Sequence, residues 1–339
     1  MLVIRRLFIP FVFILLAASA ARAANPYCHD SVLQVIENNQ VAAFEGFEQE
    51  MFRGLSEYYT MSSPSFARAL VAGMKKPDFR WLDAGGGAGM AAIESLYPAN
   101  PANLALRLAA LVKLSDEQLV AALVGSLSKK GVFNGLQKFI KPTALHSVTV
   151  VSAEDVLGGI LARSDAALVG MLKSRIVKKR YIKDFERKLK SLRLMAKQAG
   201  ELKRFKYLHG RKLRDIPSAE LGAHDLVSDI YGPFSYDPCR LCVLQYYCKV
   251  LKPGGEAHIV TNQAHVMMPG GGMLTMTEFL KQSGIPGLRI TSDVRRIGIE
   301  LKPTPETLAA LERLEKRLVL ESGMTKTKTK PPVFYYLLK

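Results

Sequence analysis

The stretch Phe79-Arg-Trp-Leu-Asp-Ala-Gly-Gly-Gly-Ala-Gly-Met-Ala-Ala-Ile-Glu-Ser-Leu96 constrains the fold more than any other part of the chain. A short apolar run, Arg80 to Leu82, leads into Asp83 and then into glycines at alternate positions, Gly85, Gly87 and Gly89. An Ala-rich segment with Ile93 and Leu96 on one helical face follows. Glycine lets the backbone turn sharply and lets another group approach the main chain closely. The start of a helix presents N–H groups that have no partner within the helix. The stretch therefore predicts a strand, a tight turn and a helix, with the turn suited to a polar ligand. Its spacing is Asp-x-Gly-x-Gly-x-Gly, which differs from the dinucleotide fingerprint G-x-G-x-x-G.

A second block lies downstream. Arg204-Phe-Lys-Tyr-Leu208 reads as a strand, followed by His209-Gly-Arg-Lys-Leu-Arg-Asp-Ile-Pro217. Then His224-Asp-Leu-Val-Ser-Asp-Ile-Tyr-Gly-Pro-Phe-Ser-Tyr-Asp-Pro238 reads as strand, loop and helix start, with Asp229 at the C-terminal end of the strand. A helix carrying Leu241, Leu244 and Tyr247 reaches Val250-Leu-Lys-Pro-Gly-Gly255, and Glu256 to Thr261 forms the next strand. Pro-Gly-Gly stops the helix and turns the chain steeply.

The two blocks, in this order and spacing, resemble class I S-adenosylmethionine-dependent methyltransferases over residues 75–96 and 203–262. The resemblance implies an α/β fold: a doubly wound, mostly parallel, seven-stranded sheet with an N-terminal helical cap and a helical insertion. It implies S-adenosyl-L-methionine as cofactor, met by Asp83, Ala84, Gly85, Gly86 and Gly87. In the family, the loop after the third strand commonly reads Gly-Asp-x-x-x-Leu-Pro, and its acid meets the adenine. Here Arg211 stands in that place, and Asp215 falls just before Ile216-Pro217. Arg211 and Asp229 join the implied cofactor contacts. The second strand of the family ends in a carboxylate for the ribose; Glu154, Asp155 or no residue fills that role. A sulfonium methyl group is already electrophilic, so the enzyme mainly aligns a nucleophile with it. The candidate reacting end is Asp229 with Tyr231, and Tyr236 stands nearby. The Asn/Asp-Pro-Pro-Tyr/Phe signature of adenine and amide-nitrogen methylation is absent. The methyl acceptor is unidentified. An exported binding protein of the same fold, without catalysis, is the alternative.

Residues 1–23 read as a signal peptide, with Arg5 and Arg6 before the apolar run Leu7 to Ala18 and the small-residue pattern Ala21-Arg22-Ala23. That predicts export, to the periplasm or outside, after cleavage; an uncleaved N-terminal anchor is the alternative. Residues 24–75 are expected to form a helical cap and 76–339 the catalytic-type domain, with a helical insertion about 98–145. Phe66, Leu70 and Met74 share one helical face behind Ser63-Pro64. His146 to Val151 and Ala167 to Met171 compete as the second strand. At the C-terminus, Met273 to Gln282 reads as a helix, Ile297 to Leu301 as a strand, Thr304 to Leu320 as a helix and Val333 to Leu338 as the last strand.

The net charge of +17 favours an anionic partner. The basic region 173–214, with Phe185, Leu189, Leu192 and Met195 on one face, is the candidate surface for nucleic acid or anionic lipid. Four cysteines are few for a disulfide framework. Cys239-x-x-Cys242 admits metal, redox or disulfide readings. No second Cys/His pair at ligand spacing accompanies it, so no metal site is expected.

Overall fold

The computed structural model describes residues 53–97, 144–173, 193–237, 239–261, 265–268, 272–292, 297–321 and 335–338, together with Glu186 and Leu189. The expected signal peptide, the expected cap up to residue 52, the expected insertion up to residue 143, most of residues 174–192 of the basic region and the linker Thr325 to Lys330 lie outside the described residues.

The chain enters through α1 (Leu55–Met61) and α2 (Pro64–Gly73). Then come β1 (Arg80–Ala84), α3 (Met90–Ser95) and β2 (Ser147–Val151). Helices α4 (Val156–Ala162) and α5 (Asp165–Lys173) precede β3 (Phe205–Leu208). Next are α6 (Ser218–Leu221), β4 (His224–Ile230), α7 (Pro233–Tyr236), α8 (Arg240–Val250) and β5 (Leu251–Thr261). The remainder is β6 (His265–Met267), β7 (Met273–Thr275), α9 (Met276–Gln282), β8 (Leu288–Ser292), β9 (Ile297–Leu301), α10 (Pro305–Glu315), β10 (Leu318–Glu321) and β11 (Tyr335–Leu338).

The main sheet has seven strands in the order β3-β2-β1-β4-β5-β9-β8. Strand β1 lies parallel between β2 and β4, with Asp83 beside Val150 on one side and Ser228 on the other. Strand β9 alone runs against the rest, antiparallel to both β5 and β8. Alternation along the central strands explains the two layers of helices. Trp81, Leu226, Ile230 and Val260 point into one buried cluster with Phe66, Leu70 and Ile93. Leu82, Ala84, Val227, Ala257 and Ile259 point into the other, with Leu244, Tyr247, Phe279 and Leu311. Successive side chains in a strand face opposite sides, so a sheet covered on both faces buries both sets.

The Pro-Gly-Gly segment works as a bulge. His224 pairs with Leu251 and Leu226 with Glu256, so residues 252–255 loop out opposite Asp225. Gly254 has φ 79°, and a Cβ on Gly255 would stand 3.0 Å from the His224 carbonyl oxygen. A side chain at Gly254 would be strained by the backbone conformation although space is open, and one at Gly255 would press on the His224 carbonyl.

The structure resolves the open choices and corrects others. His146 to Val151 supplies the second strand as Ser147–Val151, whereas Ala167 to Met171 is helical, within α5. The last pair of the main sheet is β8 and β9. The C-terminal run Tyr335–Leu338 instead joins a separate four-stranded sheet, β10-β11-β6-β7. The segment expected as a helix from Thr304 to Leu320 ends at Glu315, and Leu318–Glu321 pairs antiparallel with β11. The expected helix at Met273 starts three residues later, because Thr275 and Glu278 form a capping box.

Candidate functional site

The glycine turn lies at the C-terminal ends of β1 and β4, where the strand order reverses direction between β1 and β4. In open α/β sheets this reversal leaves a crevice outside the strand ends, because the flanking connections leave in opposite directions. Gly85, Gly87 and Gly89 have φ of 73°, 55° and 70°, the left-handed region. The N–H groups of Gly85 and Gly86 both donate to the Val151 carbonyl, at 2.9 and 3.2 Å, which pins the turn to the end of β2. Gly89 N–H closes the turn on the Gly86 carbonyl at 2.8 Å. Gly87 and Ala88 carry N–H groups with no backbone acceptor among the described residues.

The turn is packed against its neighbours closely enough to require bare backbone. A Cβ on Gly85 would stand 2.5 Å from Gly232 Cα, and one on Gly232 would stand 2.5 Å from the Ala84 carbonyl oxygen. A Cβ on Gly86 would collide with Asp83 Oδ2. Gly232 is a member of the site that the glycine spacing did not single out.

Asp83 is fully buried, directly before the turn. Its Oδ1 accepts from Tyr58 Oη at 2.7 Å and from Ser228 Oγ at 2.8 Å; Ser228 Oγ in turn accepts from Trp81 Nε1 at 2.9 Å. Its Oδ2 meets no donor among the described residues. Burial raises its pKa to about 6, opposed by the hydrogen bonds from Tyr58 and Ser228 and by the Arg53 charge. Burial and the nearby Asp83 carboxylate push the Tyr58 hydroxyl well above its usual range. Tyr58 belongs to the first described helix, and Arg53 Nη1 donates to the Ile230 carbonyl at 2.5 Å. The cap residues 53–61 thus lie across the ends of β1 and β4. No motif marked Tyr58, which is joined to Asp83 only by the fold.

Asp229 is also fully buried at the end of β4. Its Oδ1 accepts from Gly232 N at 2.7 Å; its Oδ2 accepts from Phe234 N at 2.8 Å and Tyr247 Oη at 2.5 Å. Burial raises its pKa to about 7, opposed by those three hydrogen bonds and the Arg240 charge. The carboxylate therefore fastens the loop that follows β4. That loop holds Tyr231 at φ 54°, the non-glycine residue with positive φ among those described. Such a conformation costs of order 1 kcal/mol and persists where surroundings enforce it. Tyr231 N–H donates to the Val260 carbonyl at 2.8 Å, and its ring packs half-buried on the core. Tyr236 is partly exposed, with its hydroxyl 3.1 Å from where a Gly85 Cβ would stand.

The other candidates are placed as follows. Asp155 caps α4, accepting from Gly158 N at 2.8 Å. Tyr207 Oη donates to the Gly87 carbonyl at 2.9 Å, lies 3.3 Å from the Glu154 carbonyl, and accepts from Leu157 N at 3.2 Å. It ties the glycine turn to the loop after β2, a role the sequence did not reveal. Arg211 makes a two-pronged pair with Glu220, both contacts at 2.9 Å, and donates to the Asp215 carbonyl. Several cations of the basic region are likewise engaged: Arg193 with Asp165 and Arg214 with Asp237, each at 2.7 Å. Cys239 and Cys242 form a disulfide at the start of α8.

No protein-family model matches the chain, and no curated protein matches it. Among solved structures it is similar to the rRNA methyltransferase aviRa from Streptomyces viridochromogenes, at 12% identity over 69% of this chain and 79% of that one, TM-score 0.31. It is similar to MNMC2 from Aquifex aeolicus, at 13% identity over 78% of this chain and 66% of that one, TM-score 0.32. It is also similar to the plantazolicin methyltransferase BpumL, a structure in complex with SAH, at 10% identity over 87% and 84%, TM-score 0.26. At such scores the class rests on the strand order and register themselves. The seven-stranded sheet with one antiparallel strand, and the glycine turn at its point of reversal, make this the doubly wound α/β fold that the sequence resemblance implied.

Proposed function

We propose that the chain binds S-adenosyl-L-methionine at the glycine turn and transfers its methyl group to an acceptor held at the loop after β4. The observation that supports this best is the turn itself. Left-handed glycines stand at the reversal of the sheet, directly after a buried acid whose Oδ2 meets no donor among the described residues. The residues fit such a cofactor. A sulfonium amino acid brings an ammonium group that Asp83 Oδ2 can receive, and a carboxylate that the Gly87 and Ala88 N–H groups can receive. Bound there, the cofactor supplies an electrophilic methyl group. The chain supplies alignment, which contributes on the order of 7 kcal/mol or more to lowering a barrier in good cases.

In this reading Asp229 positions the reacting end, because its carboxylate is enclosed by three donors. It fixes the loop in which Tyr231 and Tyr236 frame the acceptor. Export of the mature chain, beginning near Ala24, and an anionic partner for the basic region are part of the same proposal. The enclosure of Asp229 and the pairing of Arg211 with Glu220 favour one second reading, a binding protein of this fold without methyl transfer.

Thermal unfolding tests the binding step shared by both readings. A ligand at one hundred times its Kd stabilises the folded state by about 2.7 kcal/mol. For a chain of this size that is a rise in Tm of about 4 °C. S-adenosylhomocysteine is expected to give such a rise and adenosine alone a smaller one. Equal shifts from both, or none, would remove the turn as the site of the amino-acid end.

A further inference from the structure

We infer that the reduced form of this chain binds a zinc-type divalent cation through Cys239, Cys242 and Glu315. The reasoning starts from a mismatch. Glu315 Oε1 stands 3.2 Å from Cys242 Sγ and 4.0 Å from Cys239 Sγ. Within the disulfide neither sulfur carries a hydrogen, so a carboxylate oxygen there faces electron-rich atoms with no proton between them. The same placement is favourable once the sulfurs are thiols, or thiolates sharing a cation with the oxygen.

The distances suit the cation. Zinc stands about 2.3 Å from sulfur and about 2.0 Å from oxygen in tetrahedral sites, which sets ligand-to-ligand edges of roughly 3.5 to 3.8 Å. The two sulfur–oxygen edges already bracket that length. Only the sulfur–sulfur edge must open. Glu315 is also oriented from behind: its Oε2 accepts from Gln245 Nε2 at 2.5 Å, one turn along α8. Such outer contacts fix the direction of a ligating carboxylate. The three ligand atoms lie within 4.8 Å of one another. The fourth position is left to water. Sequence spacing pointed away from this site because the third ligand is a carboxylate on α10, far along the chain.

Chemically, an external dithiol passes two electrons and two protons to the disulfide and is itself oxidised to a disulfide. The cation then displaces the two thiol protons, giving two thiolates and a carboxylate around a 2+ charge. Oxidising compartments favour the disulfide and reducing ones the cation form.

The test uses the full chain, reduced with a phosphine, its thiols counted with Ellman's reagent, and cobalt(II) as probe. The reduced chain is expected to take up about one equivalent with the thiolate charge-transfer and strong visible bands of a tetrahedral site. Zinc should erase those bands, and the oxidised chain should not show them. Glu315→Gln leaves the disulfide able to form and is expected to weaken cobalt binding about tenfold or more. Cys239→Ser with Cys242→Ser should abolish the bands, whereas Cys248→Ser should leave them unchanged. A folded, fully reduced chain without the bands would overturn the assignment. So would an unchanged affinity in Glu315→Gln.

Discussion

Gly87→Val is expected to reduce S-adenosylhomocysteine affinity at least about a hundredfold, a loss of nearly 3 kcal/mol, while the sheet stays folded. Gly87 sits at the centre of the turn with φ 55°. A β-branched residue there is strained by roughly 1–2 kcal/mol and pulls the turn toward another conformation. The Gly87 carbonyl is held by Tyr207, so any relaxation disturbs both the turn and the loop after β2. Strain alone could also weaken the whole fold, so the comparison needs a matched control. Gly222 has φ 74° and lies just before β4, at the opposite edge of the sheet. With ψ −166° its conformation is one that essentially glycine alone adopts, so Gly222→Val is strained as well, away from the turn, and should keep its affinity. Calorimetric titration with circular dichroism on both variants separates the two effects. Equal losses of affinity would mean that the turn acts only through stability.

The second large effect is a pH dependence that Asp229→Asn should remove. In the folded chain Asp229 has a pKa of about 7, raised above the ordinary carboxylate value of 3.8 by burial. The native state therefore holds this proton more tightly than the unfolded chain does. The stability tied to that proton is complete below about pH 4 and is lost as pH rises through 7. A difference of about 3 units corresponds to a limit of about 4 kcal/mol. An asparagine does not titrate. The wild type should thus lose stability relative to Asp229→Asn between pH 5 and pH 8.5, measured as urea midpoints. Asp83 titrates in the same direction near 6, but it is present in both proteins and cancels. Parallel pH curves would show that Asp229 is ionised throughout, and that its three donors outweigh burial.

The parts of this fold that were legible in the sequence are those with their own local chemistry. Gly85, Gly87 and Gly89 needed left-handed backbone, Ser63-Pro64 opened a helix, and Pro-Gly-Gly turned the chain into β5. The pairing of β1 with β4 followed from two apolar runs ending in Asp83 and Asp229. The small second sheet escaped because β6, β7 and β10 have three or four residues, too short for alternation to register, while β11, legible as a strand, was expected in the main sheet. β8 escaped although Leu288 and Ile290 alternate behind Gly287, whose φ is 72°. The C-terminal apolar run drew the pairing instead. In the site, Asp83, Gly85 and Asp229 were visible because they sit at strand ends. Tyr58, Tyr207 and Gly232 were not, because each meets the turn from another element. The enclosure of Asp229 depends on Tyr247 Oη, contributed by a helix packed beneath it.

The central claim is that the glycine turn is a cofactor site. Isothermal titration of the purified chain with S-adenosylhomocysteine tests it most directly. A single saturable site is predicted, lost in Gly87→Val and retained in Gly222→Val. A well-folded wild-type chain that takes up no S-adenosylhomocysteine would contradict it.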